Sequence, residues 1–280
     1  MGGWMSLRDP IRIAVIGMFL WSFPASAKTA VDLELALAVD VSGSIDEEEA
    51  NLQRAGYIAA FQNPRVIEAI QRGILGRIAV AYYEWAGYGH NKMIADWTVI
   101  HDRASALAFA DSLREPPPET ARRTAIGQAI SFGVPLFDRN GIEGTRRVID
   151  ISGDGPNNWG QRSTVSRDFA VAAGITINGL PIVNDRPSRW GWPSLPDLDL
   201  YYRDCVIGGP GSFLVVANTF SDFSSAVLKK LIMEIADTSP PVRLTYVGSR
   251  QKPVLLAAAK ERVAPPCDIG EVRWRDRDDF

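Results

Sequence analysis

Asp40-Val41-Ser42-Gly43-Ser44 follows an apolar run at residues 33–39 and places three oxygen-bearing side chains at alternate positions. Alternate residues of an extended chain point to the same face, so these oxygens can converge where the strand ends. Carboxylate and hydroxyl oxygens are hard ligands of the kind that Mg²⁺ and Ca²⁺ prefer. A helix N-cap is the alternative, but one cap accounts for only one of the three oxygens. A metal site therefore requires further oxygen ligands later in the chain.

Strands alternate with helices along the chain. Continuous apolar runs at residues 33–39, 78–85, 146–152 and 175–180 are typical of strands buried on both faces of a parallel sheet. A Gly-rich turn joins the second run to residues 92–100, which predicts an antiparallel edge strand. The pattern predicts an α/β fold with a doubly wound, mostly parallel central sheet of Rossmann-like type, with helices on both faces.

The helices of this pattern have clear boundaries. Asn63 and Pro64 form a cap and first position, and Pro135 is expected to kink or end the helix that begins at Thr124. Further helices are predicted at the following places: from residue 46, residues 105–113, 163–173, 198–205 and 221–235.

The N-terminus has the features of a secretory signal peptide. Arg8 and Arg12 precede a short apolar run, and Pro24-Ala25-Ser26-Ala27 supplies small residues for cleavage. The run is shorter than the roughly 20 apolar residues that span a bilayer. We predict that residues 1–27 are removed and that the mature chain is exported, to the periplasm or as a secreted protein, with no transmembrane segment.

The charge of the chain argues against a nucleic-acid-binding function, and its cysteine content predicts one disulfide. The chain has 280 residues, is 46% hydrophobic and carries a net charge of −3, without the basic stripe of a nucleic-acid-binding protein. Its two cysteines, Cys205 and Cys267, are predicted to pair because export favours disulfides, with two free buried thiols as the alternative.

The C-terminal residues are harder to interpret. We predict one domain at residues 28–237, followed by a tail of unknown structure at 238–280. Residues 242–247 are a strand candidate within this tail. The alternatives for the tail are a strand added to the sheet edge, a segment tethered by the disulfide, and disorder.

Further oxygen ligands follow other predicted elements. Thr124 opens a helix, and Asp154 follows a strand in Ser152-Gly153-Asp154-Gly155. Ligands of open α/β sheets bind outside the carboxyl ends of the strands, which places these residues at the same edge as Asp40. The order Asp-x-Ser-x-Ser, Thr, Asp resembles the metal-ion-dependent adhesion site (MIDAS) of von Willebrand factor type A (VWA) domains.

This resemblance extends over roughly residues 31–237. More narrowly, the signal peptide, the pair Tyr201-Tyr202 and the stretch Cys-Val-Ile-Gly-Gly-Pro-Gly from residue 205 resemble a bacterial exported, DUF1194-like subgroup. In the VWA family, the strand that leads to the last Asp of the site commonly ends in Thr-Asp-Gly. The extra Gly153 here leaves Asp150, within the strand, as the less favoured substitute for Asp154.

The resemblance implies a role for each site residue. Ser42 and Ser44 would coordinate a cation through their hydroxyls, and Thr124 would do so directly or through water. Asp40 and Asp154 would act through waters and hydrogen bonds. Mg²⁺ suits such a site best, with Mn²⁺ and Ca²⁺ as alternatives. Neutral direct ligands leave a divalent ion under-compensated, so the implied partner is a protein that offers a carboxylate.

The sequence therefore predicts an exported binding or adhesion module rather than an enzyme. The alternatives are a metal-dependent phosphohydrolase that uses Asp40 as nucleophile, and a structural envelope protein with a vestigial site. Trp190 and Trp192 follow the fourth parallel strand and are candidate partner contacts, although a role in covering the core is equally consistent. The two histidines, His90 and His101, are expected near the hairpin surface.

Overall fold

The computed structural model describes residues 27–184, 193–236, 245–247 and 262–278. The predicted signal peptide lies outside these ranges except for Ala27, so its cleavage stays a prediction. None of the helices in the described ranges is long and apolar enough to cross a membrane.

A five-stranded sheet of order β3-β2-β1-β4-β5 forms the centre of the fold, and a short pair, β6 and β7, forms a second sheet. The strands are β1 (Thr29–Asp40), β2 (Ile78–Trp85), β3 (Asn91–Ile100), β4 (Ile142–Gly153), β5 (Thr176–Pro181), β6 (Val215–Ala217) and β7 (Thr245–Val247). Within the central sheet, β1 runs parallel to β2 and β4, and β4 runs parallel to β5. The edge strand β3 is antiparallel to β2. The predicted fold class is confirmed.

Eight helices surround the sheet in the described residues. They are α1 (Glu47–Gln62), α2 (Pro64–Gln71), α3 (Arg103–Ser112), α4 (Ile126–Gly133), α5 (Ser163–Ala172), α6 (Leu198–Tyr201), α7 (Phe220–Ile235) and α8 (Ile269–Asp278). As predicted, Asn63 caps α2 and Pro64 occupies its first turn. The α4 helix ends at Gly133, and Pro135 lies in the 3-10 turn that follows.

Alternation along β1 divides the core into two layers. Leu33, Leu35 and Leu37 pack in the layer that contains apolar residues of α1, α2, α3 and α7. Ala36 and Ala38 face the other layer, which contains residues of α4, α5 and α6. Both faces are therefore covered, which explains why β1 is apolar at nearly every position.

A strand and a disulfide are among the features that attach the C-terminal tail to the rest of the chain. Residues Thr245–Val247 pair in parallel with β6, so the predicted strand candidate contains a strand. Cys267 forms a disulfide with Cys205, which confirms the predicted pair. The disulfide tether is thus present, whereas β7 pairs with β6 in a separate two-stranded sheet and does not extend the edge of the central sheet.

Candidate metal centre

Asp40 and Asp154 lie at the same edge of the sheet because their strands are neighbours. Asp40 is the last residue of β1, and Asp154 directly follows β4. The two strands are in parallel register, with Val39 opposite Ser152. Parallel strands end at a common edge, so these two carboxylates are brought together by the register alone.

Three hydroxyls complete the cluster. The Ser42 Oγ lies 3.2 Å from the Ser44 Oγ, and the Thr124 Oγ1 lies 3.2 Å from the Ser42 Oγ. The Ser44 hydroxyl donates a hydrogen bond of 2.6 Å to Asp154 Oδ1. The structure therefore brings together Asp40 and the four other residues that the sequence singled out.

Thr124 is held in this cluster by a loop that follows β4. The Asn158 side chain accepts a hydrogen bond of 2.9 Å from the Thr124 backbone N–H, and the Asn158 N–H donates one of 2.8 Å to the Thr124 carbonyl. The Asn158 amide also lies 3.3 Å from the Thr124 hydroxyl. The preceding Arg123 has a left-handed backbone, with φ of 69°. Non-glycine residues rarely adopt this conformation, and such strain is typical of functional sites.

Asp40 is completely buried, with 0% of its surface exposed. Its Oδ1 accepts a hydrogen bond of 2.7 Å from the Ser42 N–H, whereas its Oδ2 has no hydrogen-bond partner. Burial raises the pKa of Asp40 well above its ordinary value, and the nearby Asp154 adds to the increase. A buried carboxylate oxygen without a partner is costly, so this atom requires an explanation.

The pKa of Asp154 is also raised by its surroundings. Burial raises its pKa to about 6, the hydrogen bond from Ser44 opposes the increase, and the Glu49 carboxylate adds to it. Two carboxylates that are buried close together resist ionisation unless positive charge is nearby. The negative charge of this cluster is therefore incompletely balanced by the hydrogen bonds around it.

The donor set fits a hard divalent cation. It consists of three hydroxyls and two carboxylates, which are the oxygen ligands that Mg²⁺, Mn²⁺ and Ca²⁺ take. The unpartnered Asp40 Oδ2 and the raised carboxyl pKa values both indicate a site suited to positive charge. In the described ranges no cluster of three or more His, Cys, Asp or Glu side chains is arranged for a metal, as expected where hydroxyls supply most donors.

The structure explains why the extra residue before Asp154, at position 153, is a glycine. A methyl group at this position would lie 2.7 Å from Asp40 Oδ2 and 2.9 Å from the hydroxyl of Tyr202. The Tyr202 hydroxyl is also buried without a partner. Gly153 thus leaves room for two buried polar atoms behind the site. One of them comes from the Tyr-Tyr pair noted in the sequence.

Gly153→Ala should lower the free energy of unfolding by about 1–3 kcal/mol, because the methyl group overpacks a buried polar contact. Gly155→Ala is the matched control, since a methyl group there would meet only the Thr124 hydroxyl, at 3.8 Å. Urea unfolding of both variants is the measurement. Equal stability of the two variants would contradict the packing role of Gly153.

The other residues that the sequence singled out do not join the oxygen cluster in the described part of the chain. Asp150 lies within β4 and pairs with Lys230 of α7, at 2.6 Å, so it does not substitute for Asp154 in the cluster. His101 is exposed beside Asp102, and His90 lies in the turn before β3. Trp190 and Trp192 lie outside the described residues, so their proposed contact role stays a prediction.

Sequence reasoning missed several residues around the site. Asn158 and Tyr202 were not assigned roles there. The Asn157-Asn158 pair soon after Gly-Asp-Gly was the available signal, because Asn side chains commonly satisfy backbone groups in turns. No local pattern connects Tyr202 to Asp40, since the contact depends on how the segment after α6 packs on the sheet.

A cavity of about 380 Å³ opens beside the cluster. One side is formed by Ser44, Thr124 and Asp154, and another by residues of α8. Its volume is near the lower end of the roughly 300–1,000 Å³ of typical ligand sites. The candidate metal centre therefore adjoins a space that a small group can enter.

Solved structures share this architecture. Proximal thread matrix protein 1 from the mussel byssus, "with zinc occupied MIDAS motif", has a TM-score of 0.53 at 14% identity, over 75% of this chain and 49% of its own. The pilus adhesin SpaC from Lactobacillus rhamnosus GG has a TM-score of 0.53 at 13% identity, over 76% of this chain and 31% of its own. A von Willebrand factor type A protein from Catenulispora acidiphila has a TM-score of 0.49 at 12% identity, over 75% of this chain and 43% of its own.

These likenesses concern the fold. The chain spans about half the length of the mussel protein. Among curated protein sequences, none matches this chain.

The sheet order, the helices on both faces and the oxygen cluster at the strand ends define a VWA-like α/β domain. A family described as "Protein of unknown function (DUF1194)" matches residues 30–239. The chain belongs to the DUF1194 family.

Proposed function

We propose that this protein is an exported, divalent-cation-dependent binding module that holds an acidic group of a protein partner. The observation that carries the proposal is the convergence of Asp40, Ser42, Ser44, Thr124 and Asp154 at one sheet edge, around a buried carboxylate oxygen without a partner. The mussel protein in the same fold class, with its zinc-occupied MIDAS motif, supports a metal-binding use of such a site.

The direct donors explain why the partner is acidic. Ser42, Ser44 and Thr124 are neutral, so they contribute oxygen without charge. When bound, a divalent cation would offer an electrophilic position for one acidic oxygen of the partner. Asp40 and Asp154 would hold the hydroxyls in place, as Asp154 already does for Ser44 at 2.6 Å. Mg²⁺ is the proposed ion because it commonly retains open or water-filled positions.

The phosphohydrolase alternative requires Asp40 to reach a phosphoryl group. Its side chain is fully buried, which disfavours nucleophilic attack on a substrate that arrives from solvent. A phosphate-ester assay in Mg²⁺ separates the two functions. Turnover that is lost in Asp40→Asn would favour the enzyme.

Calorimetric titration of Mg²⁺ and Mn²⁺ into chelator-treated protein tests the proposal. We expect wild-type protein to bind both ions and Asp40→Ala with Ser42→Ala to bind neither, because the substitutions remove a hydroxyl donor and the carboxylate that orients it. Glu47→Ala is the control, since Glu47 is exposed at the start of α1. Absence of binding by wild type, or equal binding by the double variant, would refute the proposal. A thermal stability that is the same with and without Mg²⁺ would favour the vestigial site.

A further inference from the structure

The α8 helix forms a wall of the cavity beside the candidate metal centre. Gly270, Arg273 and Trp274 of this helix line the cavity together with Ser44 and Thr124. The helix lies more than a hundred residues after Asp154 in the chain, and it reaches the site only because the tail folds back. The tail therefore contributes directly to the space that a ligand would occupy.

Several independent contacts fix α8 in this position. The Asn157 side chain donates a hydrogen bond of 2.8 Å to Glu271 Oε1, and the Arg123 guanidinium stacks 3.6 Å from the centre of the Trp274 ring. A methyl group on Gly270 would lie 1.9 Å from the Asn157 carbonyl oxygen, so the helix approaches this loop as closely as glycine allows. The disulfide at Cys267 anchors the residues just before the helix.

The cavity combines opposite kinds of polar group. Ser44, Thr124 and Asp154 lie on the side of the metal centre, whereas Arg122 and Arg273 supply positive charge elsewhere in the lining. Within the described part of the chain, neither Arg122 nor Arg273 forms an ion pair with a carboxylate. Guanidinium groups bind carboxylates through paired, charge-assisted hydrogen bonds.

We propose that the cavity binds a ligand with two carboxylates, one directed to the metal centre and the other to Arg122 and Arg273. This inference rests on the proposed function and specifies the ligand. A cavity of about 380 Å³ accommodates a group of the size of an acidic amino acid or chain end rather than a broad protein surface. The shared chemistry is a dicarboxylate, which is either a free acid or the acidic carboxyl-terminal end of a protein.

Two probes that differ in one carboxylate test the proposal on the full chain in Mg²⁺. N-acetylglutamate has two carboxylates, and N-acetylglutamine has one. We expect wild type to bind N-acetylglutamate roughly tenfold more tightly or better, as measured by calorimetry. Arg122→Gln and Arg273→Gln should each remove most of this preference and leave Mg²⁺ binding intact. Arg103→Gln is the control, because Arg103 is exposed on α3.

A short peptide that ends in Glu distinguishes a protein chain end from a free acid as the ligand. With a free terminus its last residue has two carboxylates, and with an amidated terminus it has one. Tighter binding of the free peptide than of N-acetylglutamate assigns a protein chain end, and weaker binding assigns a free acid; either result supports the two-carboxylate site. Equal binding of N-acetylglutamate and N-acetylglutamine, or an unchanged preference in both arginine variants, would overturn the proposal.

The same titrations separate this inference from the proposed function. Arginine-dependent binding that is equal in Mg²⁺ and in chelator supports the cavity and contradicts a metal-dependent function. Mg²⁺-dependent binding that ignores Arg122 and Arg273 contradicts the cavity proposal and leaves the metal-dependent function standing.

Discussion

Lys230→Met should lower the free energy of unfolding by about 3–5 kcal/mol, because it leaves two buried carboxylates without their cation. The Lys230 ammonium lies 2.6 Å from Asp150 Oδ2 and 2.9 Å from Glu234 Oε2, and all three side chains are buried between β4 and α7. Asn178 of β5 donates a further hydrogen bond of 2.6 Å to Glu234 Oε1. No other cation among the described residues pairs with Asp150.

Lys229→Met is the matched control for this change, because the neighbouring Lys229 is only partly buried and takes no part in the ion pairs of Lys230 with Asp150 and Glu234. Guanidinium chloride unfolding measures both variants. We expect the control to lie within about 0.5 kcal/mol of wild type, as is usual for surface substitutions. Similar stability of the two variants would show that the buried cluster does not depend on Lys230.

The same cluster gives a pH dependence with a defined sign. Burial raises the pKa of Asp150 to about 6, Lys230 opposes the increase, and Glu234 adds to it. The folded state therefore holds this proton more tightly than the unfolded chain, and this group makes stability fall as pH rises from about 4 to about 6. Without Lys230, Asp150 and Glu234 can bind protons at low pH, which neutralises their buried negative charge. The loss caused by Lys230→Met should thus be smaller near pH 5 than near pH 8.

Removing the disulfide should release α8 from the site. In the variant Cys205→Ala with Cys267→Ala, we expect the free energy of unfolding to fall by about 2–5 kcal/mol, as is typical when a native disulfide is lost. The bond joins positions 62 residues apart, so it restricts a long segment of the unfolded chain. Alanine is used because Cys205 is fully buried and a serine hydroxyl would add a separate cost.

Hydrogen exchange locates the effect of this change. We expect faster exchange at the amides of α8 and little change in β1, because the central sheet does not depend on the tail for its pairing. Gly270→Ala should have a similar local effect with the disulfide intact, since its methyl group would collide with the Asn157 carbonyl. Unchanged exchange in α8 in both variants would contradict the role of these contacts in seating the helix.

Much of the fold follows from local signals. The apolar runs at β1 and β2 predict buried parallel strands, and the cap formed by Asn63 and Pro64 predicts the start of α2. The strand β4 is longer at its N-terminus than its apolar core suggests, because residues 142–144, which include the exposed Glu143, pair with the start of β1. Periodicity detects burial, so it does not extend to paired residues that face solvent.

The sequence by itself determined which residues form the candidate metal centre. Asp40, Ser42 and Ser44 are close in the chain, Thr124 shortly precedes α4, and Asp154 directly follows β4, at the edge where the parallel strands end. Strand periodicity and chain order place these residues at one edge, and their order along the chain resembles the adhesion site of VWA domains. The choice of Asp154 over Asp150 agrees with their partners in the structure, since Asp154 accepts a hydrogen bond from Ser44 whereas Asp150 pairs with Lys230.

Only the tertiary structure decided what surrounds this centre. Tyr202 behind Asp40, Lys230 against Asp150, and the wall that α8 builds with Arg273 and Trp274 all join segments that are far apart in the chain. Their positions depend on how helices and the tail pack on the sheet. Packing is set by the combined shape and charge of many residues, so no single stretch of sequence specifies it.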